Sequence, residues 1–180
     1  MVAVRLMSAA DLAALPDDER GELLDGVMLP MTPVKEEHWR ITGKLMGALS
    51  AYLHANDLGV AGPERGYLLR ANPDTVLAPD VSYVSHARNV RDRDLPGFAA
   101  LAPDLAIEGR SPGNSNADVR QRVDLYLEAG CPMVWVVDPA ARAIVVHEPG
   151  QDAATHYPGD VIEGGSVLPG FSLPVEDVFA

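Results

Sequence analysis

The stretch DLAIEGRSPGNSNADVRQRVDLYLEAGCPMVWVV, residues 104–137, decides the fold of this 180-residue chain. An apolar strand at residues 104–110 is followed by a polar loop and by a helix that Ser115 or Asn116 caps and Gly130 ends. Residues 133–137 are then almost continuously apolar, which is typical of a strand buried on both faces. A helix that crosses between two strands of one sheet makes them parallel, so this stretch predicts an α/β fold.

The residues before this stretch supply the rest of the predicted core. Ser8 caps a short helix at residues 9–15, and the Asp25-Gly26 pair predicts the turn of a β-hairpin over residues 22–31. Apolar residues at helical spacing, including Trp39, predict the longest helix at residues 34–55. Extended segments follow at 60–70 and 76–84, and a mostly irregular segment at 86–100.

Short strands dominate the predicted C-terminal part. They fall at residues 143–148, 154–157 and 161–162 and precede a Gly- and Pro-rich terminal segment. The order through the middle of the chain is helix, strand, strand, strand, helix, strand. We therefore expect one domain over residues 1–180, with a mixed central sheet, an N-terminal hairpin and a C-terminal β extension.

Composition predicts a cytoplasmic globular protein. Apolar residues make up 47% and charged residues 22%, as in ordinary folded domains. No apolar run approaches the roughly 20 residues that span a bilayer, and the first ten residues do not resemble a signal peptide. Cys131 is the only cysteine, which excludes a disulfide within the chain and favours an inert core thiol.

The net charge of −12 argues against strong general binding to DNA, because that affinity depends on Lys and Arg. Lys35 and Lys44 are the only lysines in the sequence. A localised phosphate site is still compatible with this charge, since the arginines form two local clusters. These clusters are Arg88, Arg91 and Arg93, and Arg110, Arg120 and Arg122.

Two acidic residues in the predicted sheet are candidates for a metal site. Asp80 and Glu108 lie in segments that are otherwise apolar, where an unpartnered carboxylate is unfavourable. Carboxylate oxygens from two neighbouring strands suit Mg²⁺ or Mn²⁺. Glu108 and Arg110 share a strand face because side chains alternate, so a carboxylate and a cation project toward the same space.

Arg122 adds a second cation from the following helix. It lies on the apolar stripe that Val119, Val123 and Tyr126 form, so its guanidinium must reach solvent or meet a buried acid. The Asp80 and Glu108 pair is the candidate acid. Structural roles fit these residues as well: Asp80 after Pro79 suits a turn, and Glu108 with Arg122 suits a plain ion pair. Likewise, Arg110 suits an exposed strand end, His38 a solvated helix start, and Asp138 a turn.

The chain resembles the Uma-two family of endonucleases, within the PD-(D/E)xK nuclease superfamily. The resemblance covers nearly the whole sequence in order and includes His38 with the helix that follows it. The other matching stretches are GELLDG at 21–26, APDVSYV at 78–84, APDLAIEGRSP at 102–112, RVDLY at 122–126, VWVVDP at 134–139 and LPGF at 168–171.

This resemblance implies a restriction-endonuclease-like αβββαβ core and a Mg²⁺- or Mn²⁺-dependent nuclease acting on DNA, with a homodimer as a possible assembly. It implies that Asp80, Glu108 and the backbone carbonyl of Gly109 bind the metal, with Glu22 and His38 near the site. The family tends to carry a lysine where this chain has Arg122, and arginine cannot act as a base. The alternative is therefore a nuclease fold that has lost catalysis and serves as a binding or assembly module.

Overall fold

A computed structural model describes residues 6–16, 19, 21–30, 35–88, 94–95, 97–111 and 113–180. Four helices are assigned within these ranges: α1 (Ala9–Ala13), α2 (Glu36–Asn56), α3 (Asn116–Glu128) and α4 (Val175–Phe179). The predicted caps of α1 and α3 are confirmed, because the hydroxyls of Ser8 and Ser115 each accept the backbone N–H three residues on.

Fourteen strands are assigned in the same ranges. The first eight are β1 (Gly21–Leu24), β2 (Val27–Pro30), β3 (Gly59–Gly62), β4 (Tyr67–Arg70), β5 (Thr75–Leu77), β6 (Val81–Ser85), β7 (Asp94–Leu95) and β8 (Phe98–Ala99). The remaining six are β9 (Leu105–Gly109), β10 (Met133–Asp138), β11 (Ala143–His147), β12 (Ala154–His156), β13 (Val161–Glu163) and β14 (Ser172–Pro174).

The central sheet has the strand order β12-β11-β10-β9-β6-β3 and is mixed. Strands β9 and β10 are parallel, with Leu105 opposite Met133, which confirms the crossover that the sequence predicts. The other neighbouring pairs in this sheet are antiparallel. Helix α2, strands β3, β6 and β9, helix α3 and strand β10 form the predicted αβββαβ order.

Helices cover both faces of the central sheet. Ile41, Leu45, Leu49 and Leu53 of α2 pack in one core with Trp135 and the C-terminal segment. The opposite face carries a second core, in which Val123 and Tyr126 of α3 pack with Ala106, Val134 and Val136. Successive residues of β10 therefore alternate between two cores, and this burial on both faces is the physical reason for its continuous apolar sequence.

The predicted hairpin belongs to a second sheet, with the order β2-β1-β5-β4-β8-β7. Leu23 of β1 pairs with Val76 of β5, and both pack with Leu12 of α1 in a small core. The second sheet and the central sheet are joined in sequence by the short Ala78-Pro79-Asp80 segment between β5 and β6.

Three details of the structure differ from the sequence interpretation. Residues 76–84 are not one strand, because Pro79 interrupts backbone pairing and β5 and β6 belong to different sheets. Leu77 therefore packs in the α3 core, whereas Val81 and Tyr83 pack in the α2 core. Trp39 does not face the core and is 70% exposed. Finally, α4 was not predicted, because five residues carry too little periodicity to identify a helix.

Two further results complete the fold. Three residues of the sequence interpretation lie outside the described residues: Arg91 and Arg93 of the first arginine cluster, and Met31 at the end of the predicted hairpin. None of the helices in the described ranges is both long and apolar enough to cross a membrane.

Candidate active site

Asp80 lies in the bend between the two sheets, directly before β6. Val81 pairs with Ile107, so Asp80 stands next to Glu108 where β6 and β9 adjoin. The Asp80 carboxylate accepts the Gly109 N–H through Oδ2 at 2.6 Å, and its Oδ1 lies 2.9 Å from His38 Nε2. Its side chain remains 25% exposed. Asp80 therefore follows Pro79 in a bend, as one of the two interpretations of the sequence predicts, and its role in metal binding stays a prediction.

His38 belongs to the site rather than to a solvated helix face. It is the third residue of α2 and its side chain is only 13% exposed. The bond with Asp80 raises the pKa of His38 above its usual value, although burial works in the opposite direction. The Asp80 carboxylate therefore stabilises the protonated form of this ring more than solvent does for a free histidine.

Residue 109 must be a glycine because the His38 ring closely approaches its backbone. A Cβ at residue 109 would lie 2.5 Å from His38 Cε1, 2.8 Å from His38 Nδ1 and 3.1 Å from Asp80 Oδ2. The backbone thus fits against the imidazole only because no side chain intervenes. Side chains alternate along β9, so this contact lies on the α2 side while Glu108 projects toward α3.

Glu108 is held by α3 and the hairpin. Its Oε1 accepts the Tyr126 hydroxyl at 2.7 Å and Arg122 Nη2 at 2.7 Å. Arg122 also donates to both oxygens of Glu22, through Nη1 at 2.6 Å and Nη2 at 2.8 Å. Glu22 Oε1 in turn accepts the Ala78 N–H at 2.7 Å. Arg122 therefore meets an acid, as predicted, and Glu108 is one of its two partners. The other partner is Glu22 and not Asp80, which pairs with His38 instead.

Burial dominates the electrostatics of Glu108. Loss of hydration raises its pKa from 4.5 to about 7, Arg122 opposes this shift, and the charges of Asp80 and Glu22 add to it. Burial also disfavours the charge of Arg122, but Glu108 and Glu22 outweigh that effect and raise the pKa of Arg122. We conclude that Arg122 stays charged, while Glu108 exchanges its proton near neutral pH.

Arg110 borders a neighbouring cleft. Its Nη1 donates to Asp138 at 3.1 Å and its Nη2 to Asn116 at 2.6 Å, so its charge is partly compensated. The cleft has a volume of about 890 Å³, and Lys35, His38, Asn114 and Asp138 also line it. Asp138 therefore forms the ion pair with Arg110 as well as making the predicted turn, in which it accepts the Ala141 N–H at 3.0 Å.

Five of the six side chains that the sequence predicts for the site form two groups, and the sixth lies apart from both. Asp80 and His38 form one group on the α2 side, and Glu22, Glu108 and Arg122 form the other on the α3 side. Arg110 lies beside the cleft with partners of its own. Asp80 and Glu108 share no hydrogen-bond partner among the residues described, yet their charges interact.

Tyr126 is the site residue that the sequence analysis missed. It was assigned to the apolar stripe of α3 and is indeed fully buried, but its hydroxyl is a donor to Glu108. Its position four residues after Arg122, on the same helix face, was the available signal.

The oxygen atoms around Asp80 and Glu108 suit a divalent cation. The hydrogen bonds that the described residues make to Glu108 involve Oε1, which leaves Oε2 without one. Proximity of Asp80 raises the pKa of Glu108, and a cation beside both carboxylates would reverse this effect. Within the described part of the chain, no three His, Cys, Asp or Glu side chains are grouped to hold a metal. Two carboxylates with a carbonyl and water nevertheless match Mg²⁺, which keeps several waters.

The mixed sheet between two helices, with acids at adjoining ends of β6 and β9, defines a restriction-endonuclease-like protein. A solved structure supports the same fold: a "putative nuclease belonging to DUF820" from Anabaena variabilis matches with a TM-score of 0.80 and 21% identity, over 96% of this chain and 97% of that chain. A family model described as "Uma2: Putative restriction endonuclease" matches residues 9–176. The chain therefore belongs to the Uma2 family. No curated protein matches it.

Proposed function

We propose that this protein is a Mg²⁺-dependent nuclease that hydrolyses phosphodiester bonds in DNA. The observation that carries the proposal is the pair of carboxylates, Asp80 and Glu108, at adjoining ends of two central strands. His38 contacts the first and Arg122 the second. Asp80, Glu108 and the carbonyl of Gly109 would hold the metal. Mg²⁺ supplies Lewis-acid chemistry that polarises a phosphoryl oxygen and acidifies water.

The surrounding side chains have separate roles in this proposal. His38 orients Asp80 by binding one of its oxygens, and the Gly109 N–H fixes the other. Arg122 and Tyr126 hold Oε1 of Glu108 and make no hydrogen bond to its second oxygen. Because Arg122 is already bound by two glutamates, its role is to position Glu108. Arg110, which is one-third exposed beside the cleft, is better placed to neutralise charge on a phosphate.

Plasmid nicking during a Mg²⁺ or Mn²⁺ titration tests this function. Wild type should cleave in a metal-dependent manner, and both Asp80→Asn and Glu108→Gln should lose about 10²-fold or more in rate. Asp152→Asn, a change at an exposed position, is the matched control and should retain wild-type cleavage. Equal cleavage by wild type and Asp80→Asn would eliminate the proposed centre.

A catalytically inactive binding module is the second candidate. The ion network favours it, because the guanidinium of Arg122 is engaged by two glutamates and cannot accept a proton from water. Metal binding without cleavage by wild type, combined with nicking by Arg122→Lys, would favour this second function over the first.

A further inference from the structure

Trp39 is exposed on α2, one residue after a side chain of the candidate active site. Its side chain is 70% accessible, and it directly follows His38, which contacts Asp80. Single exposed apolar side chains are common on proteins. Trp39 is distinguished by its size and position, because the other large apolar side chains reported as exposed in the described chain reach at most 54%.

Lys35, the N-cap of α2, lies one helical turn before Trp39. Trp39 N–H donates to the Lys35 carbonyl at 3.0 Å, one helical turn apart, and Lys35 lines the cleft beside His38 and Arg110. Lys35 is exposed and has no ion-pair partner within the described chain. One turn after Trp39, a Cβ at residue 43 would have no atom of the described residues within 4 Å, so this part of the helix surface is open. The indole therefore has open space on that side and an uncompensated cation on the other.

Charge around the cleft does not favour a duplex. Arg110 is paired with Asp138, His38 is paired with Asp80, and Glu37 adds a further negative charge to the lining. Lys35 is the lining cation that has no ion-pair partner within the described chain, on a protein whose net charge is −12. Duplex binding depends on several phosphate contacts, whereas an unpaired base offers a ring face that can stack on an aromatic side chain.

We propose that Trp39 is a stacking platform for an unpaired base, and that Lys35 binds the adjacent phosphate at the mouth of the cleft. The proposal rests on the nuclease function above and specifies its substrate as single-stranded, or locally unpaired, nucleic acid. In a duplex the bases already stack on one another, so a strand would reach Trp39 only where pairing is absent.

Tryptophan fluorescence gives a direct test, because Trp135 is fully buried and Trp39 is the only other tryptophan in the sequence. A short oligothymidine, titrated in EDTA, should quench the emission of the exposed indole. A duplex of equal length and an abasic strand of equal length should bind at least about fivefold more weakly, since neither offers a free base.

Variants of Trp39 and Lys35 separate the contribution of base stacking from that of the phosphate contact. Because the Trp39 variants lack the exposed indole, their binding is measured by the anisotropy of a fluorescein-labelled oligothymidine. Trp39→Ala should weaken binding of the single strand about 5- to 100-fold, and Trp39→Phe should retain most of it. Val161→Ala, which alters an exposed side chain on β13, should bind like wild type. Lys35→Gln should lower the logarithmic salt dependence by about 0.7, and Arg120→Gln, which changes an exposed arginine on α3, should leave it unchanged.

Three outcomes would overturn the proposal: equal affinity for single strand and duplex, unchanged binding by Trp39→Ala, or concentration-dependent burial of Trp39 without nucleic acid, which would indicate a protein contact. Because binding is measured without metal, this test is independent of cleavage. Fluorescence quenching without nicking would contradict the nuclease function but support the binding site at Trp39. Nicking that Trp39→Ala leaves unchanged would contradict the binding site alone.

Discussion

Glu22 and Arg122, a hundred residues apart in sequence, form a bidentate ion pair that connects the N-terminal hairpin to the helix beside the candidate active site. Both side chains are mostly buried, with 17% and 23% exposure. Glu22 also accepts the backbone N–H of Ala78, two residues before Asp80. A single carboxylate thus holds the hairpin, the bend that carries Asp80, and the arginine that positions Glu108.

Removal of this carboxylate should be costly. Glu22→Ala leaves the Ala78 N–H without its acceptor and Arg122 with one acid instead of two, so the free energy of unfolding should fall by about 3 kcal/mol. Urea denaturation measures this change. Glu163→Gln, at an exposed position on β13, should remain within about 0.5 kcal/mol of wild type. A loss of that small size for Glu22→Ala would contradict the bridging role.

Gly109→Ala should separate His38 from Asp80. The new Cβ would lie 2.5 Å from the imidazole, so the ring must move. Because the bond with Asp80 is the main cause of the raised pKa of His38, that pKa should fall. An NMR titration of the His38 ring proton measures the shift.

The matched control is Gly43→Ala, on the exposed face of α2. A methyl group there meets nothing within 4 Å among the described residues, so the variant should gain about 1 kcal/mol of stability from helix propensity. The pKa of His38 should be unchanged in this control. An unchanged pKa in Gly109→Ala as well would show that the ring tolerates the methyl group.

The ionisation of Glu108 should make stability depend on pH. Its pKa is raised on folding from 4.5 to about 7, so its contribution is fully present below pH 4.5 and declines as the pH rises through about 7. Glu108→Gln carries no ionisable group and should lose this component. Chemical denaturation of both proteins between pH 5 and pH 8 gives the comparison. Parallel profiles would mean that Glu108 is ionised throughout.

Metal affinity should also depend on the ionisation of Glu108, but it should rise over the pH range in which stability falls. A proton on Glu108 competes with Mg²⁺, so affinity should rise with pH and level off above about 7. Isothermal titration calorimetry at several pH values, with proton release measured in buffers of different ionisation enthalpy, tests this. Affinity independent of pH would exclude Glu108 as a ligand.

Cys131 should be chemically inert in the folded protein. It is fully buried, burial raises its pKa to about 12, and its Sγ lies 3.1 Å from the Met133 carbonyl. A thiol reagent at pH 8 should therefore react at the rate of global unfolding, and fully only in denaturant. Rapid modification of native protein would show that this part of the core opens locally.

The sequence by itself determined the architecture of the core. Periodicity identified α2, α3 and the strands around them, and the helix between residues 105 and 137 required β9 and β10 to be parallel. It also placed Arg122 on an apolar helix face, from which the need for an acidic partner follows. These conclusions follow from local patterns, because burial imposes a period of two on strands and 3.6 on helices.

Only the tertiary structure decided how the candidate site is assembled. The sequence does not reveal that Glu22 is a bidentate partner of Arg122, that His38 binds Asp80, or that Gly109 is needed for that contact. It also counts Trp39 among the apolar residues that recur at helical spacing in α2, whereas the fold leaves this side chain exposed. These relationships depend on which distant segments meet in space, and helix or strand periodicity carries no information about such contacts.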